Sequence, residues 1–254
     1  MTPRKVTKRP LIQRLVDDGT APDRETAGKW ILAGLVRVNG DRGDKAGMLV
    51  ADDAVVEAAQ SREFVGRGAY KLEAALNAFP IPVAGAVCAD VGACTGGFTE
   101  VLLRAAAKKV YAIDVGYGDL DWKIRSDPRV VVMERTNARH VDSLGEPVSV
   151  VSIDVSFISL TKILPAVARW LALEAHVVAL VKPQFEAERS EVGSRGIITD
   201  PAVHDRVVME VAACAETLGL REMGVEVSPI LGAEGNREFL LWLKRERSTG
   251  QAVD

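Results

Sequence analysis

Four ionisable residues fall where apolar runs stop or start. Asp154 ends the run VVSIDVS, Lys182 ends HVVALVKP, Glu238 begins EFLLWL, and Lys71 follows the glycine-interrupted stretch VGRGAYKL. Lysines and carboxylates gathered at one place can handle a proton. Alone, each is more commonly a solvated charge; convergence on one edge of a sheet gives them chemical meaning. A second constellation is ADVGACTGGFTE, in which a strand ends at Asp90, Gly92, Gly96 and Gly97 occupy a turn, and a helix opens near Phe98. Glycine there lets the backbone approach a ligand closely. The next strand, YAIDVG, carries Asp114 at its end, where a carboxylate can accept hydrogen bonds from two ribose hydroxyls. The spacing is GxxxGG, not the GxGxxG of dinucleotide sites, and the lysine and threonine of a P-loop are absent. A nucleoside ligand without a pyrophosphate fits better, and S-adenosylmethionine is the common one.

These residues need a frame that brings strand ends together. From Val83 onward, the apolar runs AVCADVG, KVYAIDVG, RVVVMER, VSVVSIDVS, HVVALVKP, LREMGVEVS and EFLLWLK follow one another. Several are separated by stretches of helical periodicity, such as GFTEVLLRAAA, LTKILPAVARWL and HDRVVMEVAACAETL. The pattern predicts an α/β fold with a Rossmann-like, mostly parallel sheet covered on both faces. The last two runs lie close together and allow an antiparallel edge pair. Ligands of such sheets bind at the carboxyl ends of the strands, where Asp154 and Lys182 would meet.

The N-terminal sixty residues read differently. Asp23 is placed to cap a helix carrying Thr26, Ala27, Trp30 and Ile31, Gly34 to stop it, and LVRVNG forms a short strand closed by the turn pair Asn39-Gly40. A second strand near Ala54 to Ala58 completes a small α+β domain. The expected division is 1–60 for this domain, 61–68 for a linker, and 69–254 for the catalytic domain.

Composition narrows the class. The chain has 254 residues, 48% hydrophobic and 26% charged, which excludes disorder and fibrous repeats. The formal charge of −3 argues against a protein that coats nucleic acid. Cys88, Cys94 and Cys214 are too few and scattered for a disulfide framework or a zinc knuckle, so no metal is expected. Without a signal-like segment or an apolar run of about 20 residues, the expected setting is cytoplasmic, away from membranes.

GRGAYKL, DVGACTGGFTE, AIDVGYGDLDWKIRSDPRVVVMERTNAR, DVSFISL, LVKPQFE and GNREFLLWL, in this order, resemble the blocks of the TlyA/hemolysin-A family of RNA ribose 2′-O-methyltransferases. The catalytic domain of that family is similar to FtsJ (RrmJ). DRETAGKWILAGLVRVNG is similar to the core of S-four-type RNA-binding domains, and REFV to the family's short joint. The resemblance implies S-adenosylmethionine as cofactor, ribosomal RNA or subunits as partner, and a catalytic tetrad at Lys71, Asp154, Lys182 and Glu238, with Lys182 the candidate base. For the cofactor it implies the loop Asp90, Gly92, Cys94, Gly96, Gly97 and Phe98, with Asp114 on the ribose and Asn137 near the adenine.

Two departures bear on the substrate. Cys94 stands where serine is usual, and EAERSEVGSRGIITD carries three glutamates beside the expected substrate path. Through residue 60 the chain has ten Lys or Arg against nine Asp or Glu, with Arg4, Lys5, Lys8, Arg9 and Arg14 gathered at the start. On the RNA reading, Arg4, Lys5, Lys8 and Arg9 meet the substrate. The alternative is methylation of a small aromatic metabolite, such as an indole, with Tyr70, Tyr117 and Trp122 lining its pocket. A membrane-disrupting role lacks the long cationic amphipathic helix it requires.

Overall fold

The computed structural model describes residues 7–21, 23–32, 34–58, 64–193 and 196–246, which fall into two units divided between Glu63 and Phe64. In the first unit, β1 (Lys8–Pro10) leads into α1 (Leu11–Asp17) and α2 (Arg24–Leu32), followed by β2 (Val36–Val38), β3 (Asp41–Arg42), β4 (Leu49–Ala51) and β5 (Val56–Ala58). The Asp23 carboxylate accepts the Thr26 N–H at 2.7 Å, the expected cap of α2. Of the residues at helical spacing, Ala27 and Ile31 are buried, whereas Thr26 and Trp30 stay half-covered. Asn39 and Gly40 both adopt positive φ, 51° and 87°, the primed turn that suits a tight hairpin. Leu11, Leu15, Ile31 and Val36 form the centre of this small core.

Here two of the basic N-terminal residues, Arg9 and Arg14, are engaged internally. Arg9 reaches the carboxylates of Asp17 at 2.7 Å and Asp52 at 2.8 Å. Arg14 is buried and donates to Asp18 and to the Ala51 carbonyl. Lys8 is exposed on β1, while Arg4 and Lys5 lie outside the described residues, as do the first three residues of the expected 61–68 joint.

The second unit holds α3 (Ala69–Ala78), β6 (Val87–Val91), α4 (Gly97–Arg104), β7 (Lys109–Ile113), the single turn α5 (Trp122–Arg125) and β8 (Val130–Met133). Then come β9 (Val148–Ile153), α6 (Leu164–Trp170), β10 (Leu171–Val181), α7 (Pro183–Glu186), α8 (Pro201–Thr217), β11 (Arg221–Val227) and β12 (Phe239–Arg245). All seven apolar runs become strands of one sheet, ordered β11-β12-β10-β9-β6-β7-β8. The five strands from β10 to β8 are parallel, and β12 runs against them, pairing antiparallel with β10 on one side and β11 on the other. β10 starts at Leu171, ahead of the apolar run, because Leu171 pairs with Val148 before a register shift to His176.

Both faces are covered, which is why the strands read as unbroken apolar runs. In β10, Val177, Ala179 and Val181 face the layer of α6 and α8. Val178 and Leu180 face the layer of α3 and α4. The order reverses beside β6, whose neighbours are β7 on one side and β9 on the other. That switch point opens the crevice where α/β sheets bind ligands. Among the described residues, no helix is long and apolar enough to cross a membrane.

Candidate active site

The sheet's register brings the tetrad positions together. Val181, the last residue of β10, pairs with Phe239, the first of β12, so Lys182 and Glu238 leave the same edge from strands of opposite direction. Ala179 pairs with Ile153, which places Asp154 on that edge as well. Lys71 comes from the first turn of α3. The four side chains form two ion pairs: Lys182 Nζ to Asp154 Oδ1 at 2.6 Å and Lys71 Nζ to Glu238 Oε2 at 2.5 Å. Lys71 and Lys182 are each 8% exposed and Glu238 only 2%, so both pairs act in a partly dry setting that strengthens them. Lys182 Nζ also donates to Ser156 Oγ at 2.9 Å.

Both lysines and Glu238 line a cavity of about 560 Å³ together with Ser156, Phe157 and Gln184. The Oε1 atom of Gln184 is the side-chain polar atom buried without a hydrogen-bond partner among the described residues. An orphan acceptor of this kind is costly unless a ligand supplies a donor.

The glycine loop sits at the switch point. Gly92 has φ +88°, and a Cβ there would be driven into the Asp154 carbonyl oxygen. Its N–H donates to the Ile113 carbonyl at 2.8 Å, while the Asp154 N–H donates to the Val91 carbonyl at 2.8 Å. Only glycine lets these strand ends come so close. Gly96, at φ +93°, turns the chain into α4 and packs toward Leu120 and Ile124, lining neither cavity beside the loop. Cys94 is a non-glycine residue at φ +47°, held by its N–H donating to Asp114 Oδ2 at 2.7 Å. Burial pushes its thiol upward from the ordinary range.

Two cavities flank this loop. One, of about 380 Å³, is lined by Gly92, Cys94, Asp114, Asn137, Asp154 and apolar side chains including Ile113 and Ile158. The other, of about 220 Å³, is lined by Arg67, Gly68, Gly92, Cys94, Gly97 and Phe98. Asp114 accepts from Cys94 and from the Gly116 N–H, one bond on each oxygen, which leaves about two lone-pair sites for a ligand. Asn137 caps a short turn by accepting the Arg139 N–H at 3.1 Å.

Asp90 stands elsewhere. It is the penultimate residue of β6, with the strand running on to Val91, and its fully buried carboxyl accepts from Thr99 and Ser152 beneath the loop. Desolvation pushes that carboxyl up to about 7, against the pull of its two hydroxyl donors. Such a group contributes stability that is complete below about pH 4 and is lost as pH rises through 7. Asp90→Asn is therefore expected to gain in Tm over the wild type progressively between those values, then level off. Thermal melts of both proteins that stay parallel across the range would contradict this.

The aromatic residues of the small-metabolite reading line none of the three cavities. Tyr70 packs edge-on against Phe64 at 5.2 Å. Tyr117 lies exposed under the Arg135 guanidinium at 4.0 Å, and Trp122 is also exposed. Phe98 lines the 220 Å³ cavity and Phe185 the 560 Å³ one, and a third ring, Phe157, joins two of the cavities. Phe157 is 91% exposed, has φ +63°, and borders both the 380 Å³ and the 560 Å³ cavities. Its ring packs against that of Phe185, with centroids 5.1 Å apart. Its position in DVSFISL, three residues after Asp154, was the available signal.

Comparison with known proteins supplies the family. The FtsJ-like methyltransferase family profile matches residues 64–245, which contain every cavity described above. The 16S/23S rRNA (cytidine-2′-O)-methyltransferase TlyA of Mycobacterium tuberculosis is 47% identical over 236 residues, covering 91% of this chain and 88% of that protein. Hemolysin A of Brachyspira hyodysenteriae is 41% identical, over 88% of this chain and 94% of its own. A solved structure from Streptococcus thermophilus, named "Putative hemolysin", matches with a TM-score of 0.72 at 42% identity, covering 96% of this chain and 90% of that one. With that profile spanning most of the chain, the chain belongs to the FtsJ-like methyltransferase family.

Proposed function

We propose that the chain methylates the 2′-hydroxyl of a cytidine ribose in ribosomal RNA, using S-adenosylmethionine. The observation that carries this reading is the pair of lysine–carboxylate contacts, at 2.6 and 2.5 Å, on a cavity that shares Ser156 and Phe157 with the cavity beside the glycine loop. The relatives named for cytidine 2′-O-methylation of rRNA supply the substrate class.

The residues present fit the cofactor. Asp114 has unspent acceptor capacity for ribose hydroxyls, the slot formed by Ile113, Ala138 and Ile158 suits an adenine, and the close-approach turn at Gly92 leaves room for the remainder. When bound, S-adenosylmethionine supplies an electrophilic methyl group. A ribose hydroxyl is a poor nucleophile at neutral pH, and Lys182 Nζ takes its proton. Asp154 orients that amine. Lys71 and Glu238 line the same cavity as Lys182, and Lys71 places positive charge near the developing alkoxide. Phe157 offers an uncovered ring face for a splayed base, the usual mode of single-stranded RNA recognition. The orphan acceptor of Gln184 suits a polar substrate. In the first unit Lys8 supplies an exposed cation, whereas Arg9 is already committed to carboxylates.

The reading is tested with labelled S-adenosylmethionine, offered to ribosomal subunits from cells lacking the enzyme and, in parallel, to a metabolite extract. RNA is expected to take the label, with affinity that falls steeply as salt rises. Removing residues 1–60 is expected to abolish the transfer. Label in a small aromatic compound, untouched by that truncation, would replace this reading with the metabolite one.

A further inference from the structure

We infer that Ser156 is a positioning residue for the base, a fifth member of the proton-handling group. The inference rests on Lys182 serving as the base. A neutral lysine amine has two N–H donors and one lone pair. The two polar atoms placed on Lys182 Nζ are Asp154 Oδ1 at 2.6 Å and Ser156 Oγ at 2.9 Å. The nearest ring, Phe185, stands 5.9 Å away and provides no acceptor of comparable strength. Two acceptors thus match two donors, and the remaining position of the nitrogen is left for the lone pair that must meet the hydroxyl proton. With Asp154 alone, the amine would turn about its Cε–Nζ bond and the lone pair would have no set direction.

The location of Ser156 agrees with this role. It lies two residues past Asp154 and borders both the cavity beside the glycine loop and the cavity of the two lysines. The amine lines the 560 Å³ cavity, held on one side by the serine that the two cavities share. The following residue, Phe157, has φ +63°, so the chain bends sharply directly after the serine, and the DVSF segment presents carboxylate and hydroxyl to one nitrogen. Ser156 is itself exposed and packs in no core cluster, so its removal leaves no cavity behind.

The test uses the full chain, labelled S-adenosylmethionine and ribosomal subunits. Ser156→Ala is expected to lower kcat about tenfold to a hundredfold, as misdirection of a catalytic group does, with KM for subunits and Kd for the cofactor shifting far less. Ser156→Thr, which keeps the hydroxyl, is expected to restore most of the lost rate. Loss confined to KM or Kd, unaltered kcat in Ser156→Ala, or equal impairment of both variants would each overturn the assignment. Wild-type protein that transfers no label to RNA would instead sink the reading on which it rests.

Discussion

Replacing Lys182 by alanine is expected to cut methyl transfer about a hundredfold to ten-thousandfold, the range over which a positioned general base contributes. The cofactor should bind as in the wild type, because Lys182 lines the 560 Å³ cavity and not the two beside the glycine loop. The fold should tolerate the change. Asp154, the partner left behind, has a side chain 20% exposed, so water can replace the lost contact. Lys71 is a poorer probe of chemistry. Its partner Glu238 has a side chain only 3% exposed, and stripping a buried carboxylate of its counter-ion destabilises the protein as well. Calorimetric titration of the cofactor beside single-turnover assays separates these effects. Near-normal turnover of Lys182→Ala would remove it from the role of base.

The second large effect is expected from Gly92→Ala. A methyl group there meets the carbonyl oxygen of Asp154, a backbone atom that cannot swing aside, and the residue must also hold φ +88°. The left-handed conformation alone costs about 1–2 kcal/mol for a residue with a Cβ, and overpacking adds about 1–3 kcal/mol. Since a loss of about 1 kcal/mol lowers Tm by roughly 2–4 °C in a domain of this size, a fall of several degrees or more is expected. Relief by backbone movement would push Asp154 away from Lys182 and open the loop that cradles the cofactor, so binding and transfer should fall together. Gly40→Ala is the informative comparison: φ is +87° there but no neighbour stands within 4 Å of an added Cβ. Similar melting curves for the two variants would show that backbone conformation, not the contact with Asp154, sets the requirement at Gly92.

Much of this site is legible in the linear chain because parallel sheets buried on both faces leave a coarse signature. Seven apolar runs became seven strands, and the polar residues terminating them, Asp114, Asp154 and Lys182, lie at the ligand edge because parallel strands all finish on the same side. Glu238 reaches that edge for the opposite reason, as the start of an antiparallel strand. What stays hidden is pairing across long stretches of sequence. Arg9 reads as a free cation until the fold brings Asp52, forty-three residues away, within 2.8 Å. Asp90 reads as ligand-facing from its place at a strand end, but Thr99 and Ser152 take its carboxyl beneath the loop. For Ser156 and Phe157 the one signal is closeness to Asp154, two and three residues on. A serine and a phenylalanine are common residues, and only the contact with Lys182 and the uncovered ring at positive φ set them apart.

The most direct measurement of the central claim is the identity of the methylated nucleoside. Ribosomal subunits lacking the modification are incubated with the wild-type chain and labelled S-adenosylmethionine, and the RNA is digested to nucleosides and resolved by mass. Transfer to a ribose 2′-hydroxyl by the Lys182 site should yield 2′-O-methylcytidine, and Lys182→Ala should yield almost none. Label on a base atom, or RNA that remains unlabelled while a small aromatic compound is methylated, would contradict the assignment.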